Sequence, residues 1–168
     1  SGRFGAALVR AAALGIPVVA LHTGRSDAGA RIAASHTAAL AGHQAAYQNP
    51  AFAESMARFC AEVHQSGSVV VVQLTHLNAV WAPSPVPVIG AQDYTPHVMG
   101  EEEIEYCLDT YARAAAVAQE AGADAIEIHC AHETLGYSFL SPVTNHRTDK
   151  WGGGPEQRAR FVVEALKR

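Results

Sequence analysis

The chain has 168 residues, a formal net charge of −4, 49% hydrophobic residues and 17% charged residues. Such a composition is that of an ordinary globular protein of one domain or two small ones. The slight acidity, with no basic patch, excludes a nucleic-acid or anionic-membrane partner, and no apolar run approaches the roughly 20 residues that span a bilayer.

Residues 4–14 read as a short Ala-rich helix ending at Gly15. Pro17 then introduces the apolar run Val18-Val19-Ala20-Leu21, a short buried strand. Gly24-Arg25-Ser26-Asp27 turns the chain, and Ser26 or Asp27 can cap a helix running to about Ala41. The arginines inside the opening apolar stretch are unlike a signal peptide. The cytoplasm is the expected location.

The next helix starts near Pro50, places Phe52, Met56, Phe59 and Val63 on one face, and ends at Gly67. Val69 to Leu74 is a valine-dominated run, as in a parallel strand covered on both faces. The loop holding Pro83, Pro85, Pro87 and Pro96 should lack regular structure. Glu101-Glu102-Glu103 opens a long helix, with acids where the helix dipole favours them. Its stripe is Ile104, Leu108, Tyr111 and Ala115, and Gly122 stops it. Residues Ala125 to His129 form another strand, and a last helix starts near Pro155. Strands joined by long helical crossovers mean an α/β protein with parallel pairing. Cys60, Cys107 and Cys130 form no CxxC pair, which fits a reducing compartment. The first two lie in apolar helical surroundings and read as buried structural thiols.

Strand alternation puts Glu127 and His129 on one face, and Gln73 with Val71 and Val69. Polar side chains thus collect at the C-terminal ends of strands, where parallel α/β folds build their sites. His129-Cys130-Ala131-His132 has two imidazoles and a thiol in close sequence, but further metal ligands are not evident and alternation points neighbours apart, so no metal is expected. By spacing alone the two histidines are either paired donors gripping a ligand oxygen or ordinary loop-edge histidines.

Several motifs occur in order: Val72-Gln73-Leu74-Thr75-His76, Ala82-Pro83-Ser84-Pro85-Val86-Pro87, Ile126 to His132, Phe139-Leu140-Ser141-Pro142, Thr144 to Gly153, and Pro155 to Phe161. Together they make residues 50–168 resemble an internal part of the old yellow enzyme family, FMN-dependent NADH:flavin oxidoreductases built on a (β/α) barrel. The resemblance implies that Gln73 bonds the flavin pyrimidine edge and that His129 and His132 hold the activating oxygen of an α,β-unsaturated substrate. Hydride would come from reduced FMN, itself reduced by NAD(P)H. The Asn145–Gly153 segment would shape the loop after the strand. Thr134 stands where the family has a tyrosine, often the proton donor, and Glu133 where it has a glycine. Tyr137 lies three positions beyond Thr134, and the link from His76 to Ala82 is shorter than the family's.

Residues 1–48 carry a second, local resemblance. Gly24-Arg25-Ser26-Asp27-Ala28-Gly29-Ala30-Arg31 and Ser35-His36-Thr37-Ala38-Ala39-Leu40-Ala41-Gly42 are similar to the CoA-ligase region of ADP-forming acyl-CoA synthetases, with Ala38 in place of a glycine. That resemblance implies a phosphorylated histidine at His36, which otherwise reads as a helix-face histidine. The expected architecture is therefore a short strand–helix segment (1–48) fused, near Gln48–Pro50, to a partial parallel (β/α) barrel-like unit (50–168). A whole barrel takes about 250 residues, with its phosphate site after strands seven and eight, so the loops that would hold the FMN phosphate are expected to lie outside these residues. Three functions follow: an FMN-dependent oxidoreductase acting on a small molecule, an acyl-CoA synthetase fragment, or a compact α/β module without catalysis. Unpaired sheet edges would favour self-association.

Overall fold

A computed structural model of the chain describes residues 18–21, 50–76, 81–87 and 95–168. The elements in order are β1 (Val18–Leu21), α1 (Pro50–His64), β2 (Val69–Leu74), β3 (Trp81–Ala82), β4 (His97–Val98), α2 (Glu101–Glu120), β5 (Ala125–Ile128), α3 (Leu135–Leu140) and α4 (Pro155–Lys167). The described residues include a three-stranded sheet, β1-β2-β5, in which β1 runs parallel to β2 with Val18 beside Val69 and Leu21 beside Val72. The helices predicted at 4–14 and 26–41 lie outside the described residues. The α/β class with parallel pairing matches the sequence reading.

The chain forms two compact units: residues up to Leu74 with Ala114–Glu127, and Thr75–Arg113 with Ile128–Arg168. In the first, α1 begins at Pro50, whose missing N–H costs nothing at a first-turn position. Its apolar face carries Phe52, Met56, Phe59, Cys60 and Val63 onto Val70 and Val72 of β2, with Ala118 and Ala121 completing the cluster. The chain leaves α1 through Gly67 at φ +75°. At the end of α2, Gly122 has φ +95°, a conformation that favours glycine. Asp124 then accepts from Val70 N at 2.7 Å and from His64 Nε2 at 2.8 Å. The Val70 amide, and next the His64 ring, hold its carboxyl below the usual range.

Burial in β2 alternates. Val70 and Val72 are buried, while Val69, Val71 and Gln73 are half-buried. The valine run had suggested burial on both faces. Among the described residues, the packed cluster takes one face only, so a continuous apolar run does not here mean equal covering.

In the second unit, the prolines do not exclude pairing: Trp81–Ala82 lies beside His97–Val98 as a short parallel ladder just outside the proline-rich stretch. Each strand ends or begins next to a proline, which lacks the N–H needed to extend the ladder. Glu103, three residues past Gly100, accepts its N–H at 2.7 Å and meets His97 Nε2 at 2.9 Å, a capping box with glycine at the cap. Burial opposes ionisation of Glu103, but Gly100 N–H and His97 together bring its carboxyl below the usual range. The core gathers Ile104, Cys107, Leu108, Tyr111, Leu135, Phe139 and Phe161. Phe139 and Phe161 stack at 4.4 Å and 6°, and Tyr111 meets Phe161 edge-on at 6.1 Å.

Both helical thiols are 1% exposed, in keeping with the structural role read from sequence. Burial raises the Cys60 pKa and pushes the Cys107 pKa up to about 12, so neither is a reactive thiolate at neutral pH.

Candidate functional site

Gln73 is the fifth residue of β2, on the half-buried face. Its Nε2 donates to the carboxylate of Glu127, which β5 presents from the neighbouring strand. Its Oε1 is buried and accepts no hydrogen bond from the described residues. A buried carbonyl left unbonded costs about 1–3 kcal/mol, so native structures seldom tolerate one without a role for it.

His129 falls one residue beyond the observed end of β5, at Ile128, although the sequence had placed it in the strand. Its ring and that of His132 lie 5.6 Å apart, tilted by 50°. The structure therefore does bring the two histidine rings together. The backbone turns sharply at His132 and the residue after it. His132 and Glu133 both adopt left-handed backbone, at φ +52° and +59°, a conformation that costs an ordinary residue roughly 1–2 kcal/mol. This explains why a glycine suits position 133. Glu133→Gly is expected to raise stability by about 0.5–1 kcal/mol, net of glycine's own entropy cost. A lower denaturation midpoint for that variant would contradict the assignment of strain.

Thr134 is 1% exposed, and its hydroxyl donates to the His129 carbonyl at 2.7 Å. It starts α3 as N-cap residue, with no side-chain capping bond. Where the resembled family has a phenol, this chain has a bond that closes the loop carrying both histidines. The six-residue helix α3 itself was missed from sequence. Leu135, Gly136, Ser138 and Phe139 are all buried, and such a mixed, short run carries no helical period.

The loop after α3 is built around Asn145. Its Nδ2 donates to the carbonyls of Phe139 and Trp151, each at 2.8 Å, and its Oδ1 accepts from Arg147 N at 3.1 Å. Arg147 donates to Met99 O at 2.6 Å and pairs with Asp149. Its guanidinium holds the Asp149 carboxyl below the usual range. Gly152 closes the turn: a Cβ there would lie 2.5 Å from both Cβ and O of Arg147. This segment is structural, as read from the sequence. Arg158 adds a bond from Nε to Leu140 O at 3.0 Å, satisfying a carbonyl at the end of α3.

Among the described residues, no group of three or more His, Cys, Asp or Glu side chains is placed to hold a metal ion, and no helix is long and apolar enough to cross a membrane. His36 and the motif around it lie outside the described residues.

A family model described as the NADH:flavin oxidoreductase / NADH oxidase family matches residues 31–168, taking in His36 and crossing the seam expected near Gln48–Pro50. The chain is 40% identical over 120 residues to an NADPH dehydrogenase of Bacillus subtilis (strain 168), covering 67% of this chain and 35% of that protein. An NADPH dehydrogenase of Bacillus pumilus (strain SAFR-032) is 38% identical over 120 residues, covering 67% and 35%. Among solved structures, morphinone reductase in complex with tetrahydroNAD aligns with a TM-score of 0.67 and 29% identity, over 74% of this chain and 41% of that one. Old Yellow Enzyme from Pichia sp. AKU4542 aligns with a TM-score of 0.67 and 30% identity, over 74% and 38%. The chain thus spans about a third of the length of the curated relatives it matches.

Proposed function

The chain belongs to the NADH:flavin oxidoreductase / NADH oxidase family, and from that premise we propose that it is part of an FMN-dependent oxidoreductase of old yellow enzyme type, with a (β/α) barrel as the parent fold. NAD(P)H is the reductant, and the substrate is a small molecule with an activated alkene. The observation that carries the flavin reading is the buried, unbonded Oε1 of Gln73.

Bound FMN would supply the hydride chemistry, and the protein's part is to bind, orient and polarise. Gln73 addresses the pyrimidine edge through Oε1. His129 and His132 donate to the carbonyl oxygen of the substrate, drawing charge away from the alkene. Thr134 gives up no proton, since its buried hydroxyl is spent on the His129 carbonyl. The proton that completes reduction of the alkene has another source.

The test is a titration of the purified chain with FMN, followed by flavin fluorescence and absorbance. Saturable binding is expected. A phenolic ligand added to the flavin complex should bind roughly tenfold or more weakly to the His129→Ala/His132→Ala variant, the effect of losing two hydrogen bonds. A folded chain that binds no FMN would sink the reading for these residues.

For residues 1–48 the Gly24–Gly42 motif supports a second reading, a ligase-like segment in which His36 carries phosphate. Incubation with ATP should then leave acid-labile phosphate that disappears in His36→Ala, and an unlabelled wild-type chain would argue against it.

A further inference from the structure

The Gln73–Glu127 pair has a directional property. A carboxylate can only accept hydrogen bonds, so the amide of Gln73 must turn its NH₂ toward Glu127. Its Oε1 then points the other way, where it is buried and unbonded. Without such a partner the two ends of a glutamine amide are nearly equal in shape, and the group can present either a donor or an acceptor. Glu127 removes that freedom. The backbone in turn fixes Glu127: the next residue back in β5, Ile126, packs on the core cluster, so alternation sends Glu127 to the opposite face. The two residues are 54 positions apart and meet only because β2 and β5 are neighbours in the sheet.

We infer that Glu127 is a positioning residue, which locks the Gln73 amide so that Oε1 is offered as an acceptor to a ligand ring N–H flanked by carbonyls. The inference rests on the flavin reading above and extends it: the site selects the N–H edge of a cyclic imide, not merely any planar ring. The amide nitrogen keeps a second hydrogen, so a ligand carbonyl beside that N–H finds a donor as well. In Glu127→Gln the carboxylate gives way to a group that both donates and accepts. Gln73 can then turn either way, and one orientation sets its NH₂ against the ring N–H.

Two measurements decide the matter. On the free ¹⁵N-labelled chain, the side-chain amide of Gln73, assigned by its loss in Gln73→Ala, should show one proton shifted by the carboxylate. Glu127→Gln should abolish that shift while leaving the thermal midpoint in place. In fluorescence titrations, Glu127→Gln should weaken FMN binding roughly two- to threefold, the cost of selecting one of two amide orientations. The same substitution should leave binding of FMN methylated at its ring N–H unchanged, because that analogue has no hydrogen to offer. The two ligands carry the same charge, so removal of the carboxylate's negative charge affects both alike.

Equal weakening of both ligands, or FMN binding unchanged by Glu127→Gln, would overturn the inference. If the wild-type chain bound neither ligand, the flavin reading would fail. The amide resonances of the free chain would still report whether Glu127 orients Gln73, and an unshifted, Glu127-independent signal would refute it.

Discussion

Phe161→Ala should cost about 4–5 kcal/mol, the largest loss from any single truncation in the second unit. Phe161 is fully buried, stacked on Phe139 and edge-on to Tyr111, so its removal opens a void between α2, α3 and α4. Aromatic truncations in packed cores cost about 3–5 kcal/mol, and specific ring pairing adds about 0.5–1.5 kcal/mol. The flat partner Phe139 cannot follow the void inward without losing its own seat in α3. Val163, two residues on, is 42% exposed, and Val163→Ala should change stability by no more than about 0.5 kcal/mol. Urea denaturation of both variants checks the contrast. A loss below about 1.5 kcal/mol for Phe161→Ala would mean that the aromatic trio does not hold this unit together.

Asn145→Ala should destabilise by about 3 kcal/mol, through polarity and not volume. Its amide serves three backbone groups at once: the carbonyls of Phe139 and Trp151 and the N–H of Arg147. Asn145 is 4% exposed, so water does not readily replace those bonds. Each stranded group costs about 1–3 kcal/mol, reduced where the loop can relax toward solvent. Asn145→Asp sharpens the test because it keeps the shape and removes the donors. At neutral pH a carboxylate would face two carbonyl oxygens, which should raise the pKa of the introduced group above its unfolded value. The folded state would then bind the proton more tightly than the unfolded one, so Asn145→Asp should gain stability as pH falls toward the range where carboxylates titrate. Thermal melts of both variants between pH 4 and 8, as an approximate window set by carboxylate values, would show it. A pH-independent deficit in Asn145→Asp would contradict the bonding scheme.

What could be read from the sequence depended on how far apart the cooperating residues are. Val18–Leu21, the start of α1 at Pro50 and the start of α4 at Pro155 agree with the structure, because prolines and apolar runs act within a few residues. The buried face of α1 and the inert thiols were legible for the same reason: helical periodicity is local. The two-residue strands β3 and β4 were not, since their pairing joins residues 16 apart across a proline-rich stretch. Nor was α3, whose six residues are too few to display a period. At the candidate site, alternation put Gln73 and Glu127 each on a definite face. That they bond to each other depended on the order of strands in the sheet, which nothing in either segment states.

The clasp around Asn145 has a kinetic consequence. Its amide reaches six residues back to Phe139 and six residues forward to Trp151, and the cost of closing a loop grows with its length. Bonds so near in sequence can form early, before the long-range pairing of distant strands that slows α/β folding. Arg147, by contrast, reaches 48 residues back to Met99, a much longer loop to close. The segment from α3 to α4 would thus take shape locally first, and its distant bonds, Arg147 to Met99, His146 N to Ser84 Oγ and Lys150 to Glu101, would then make a local turn part of a folded unit.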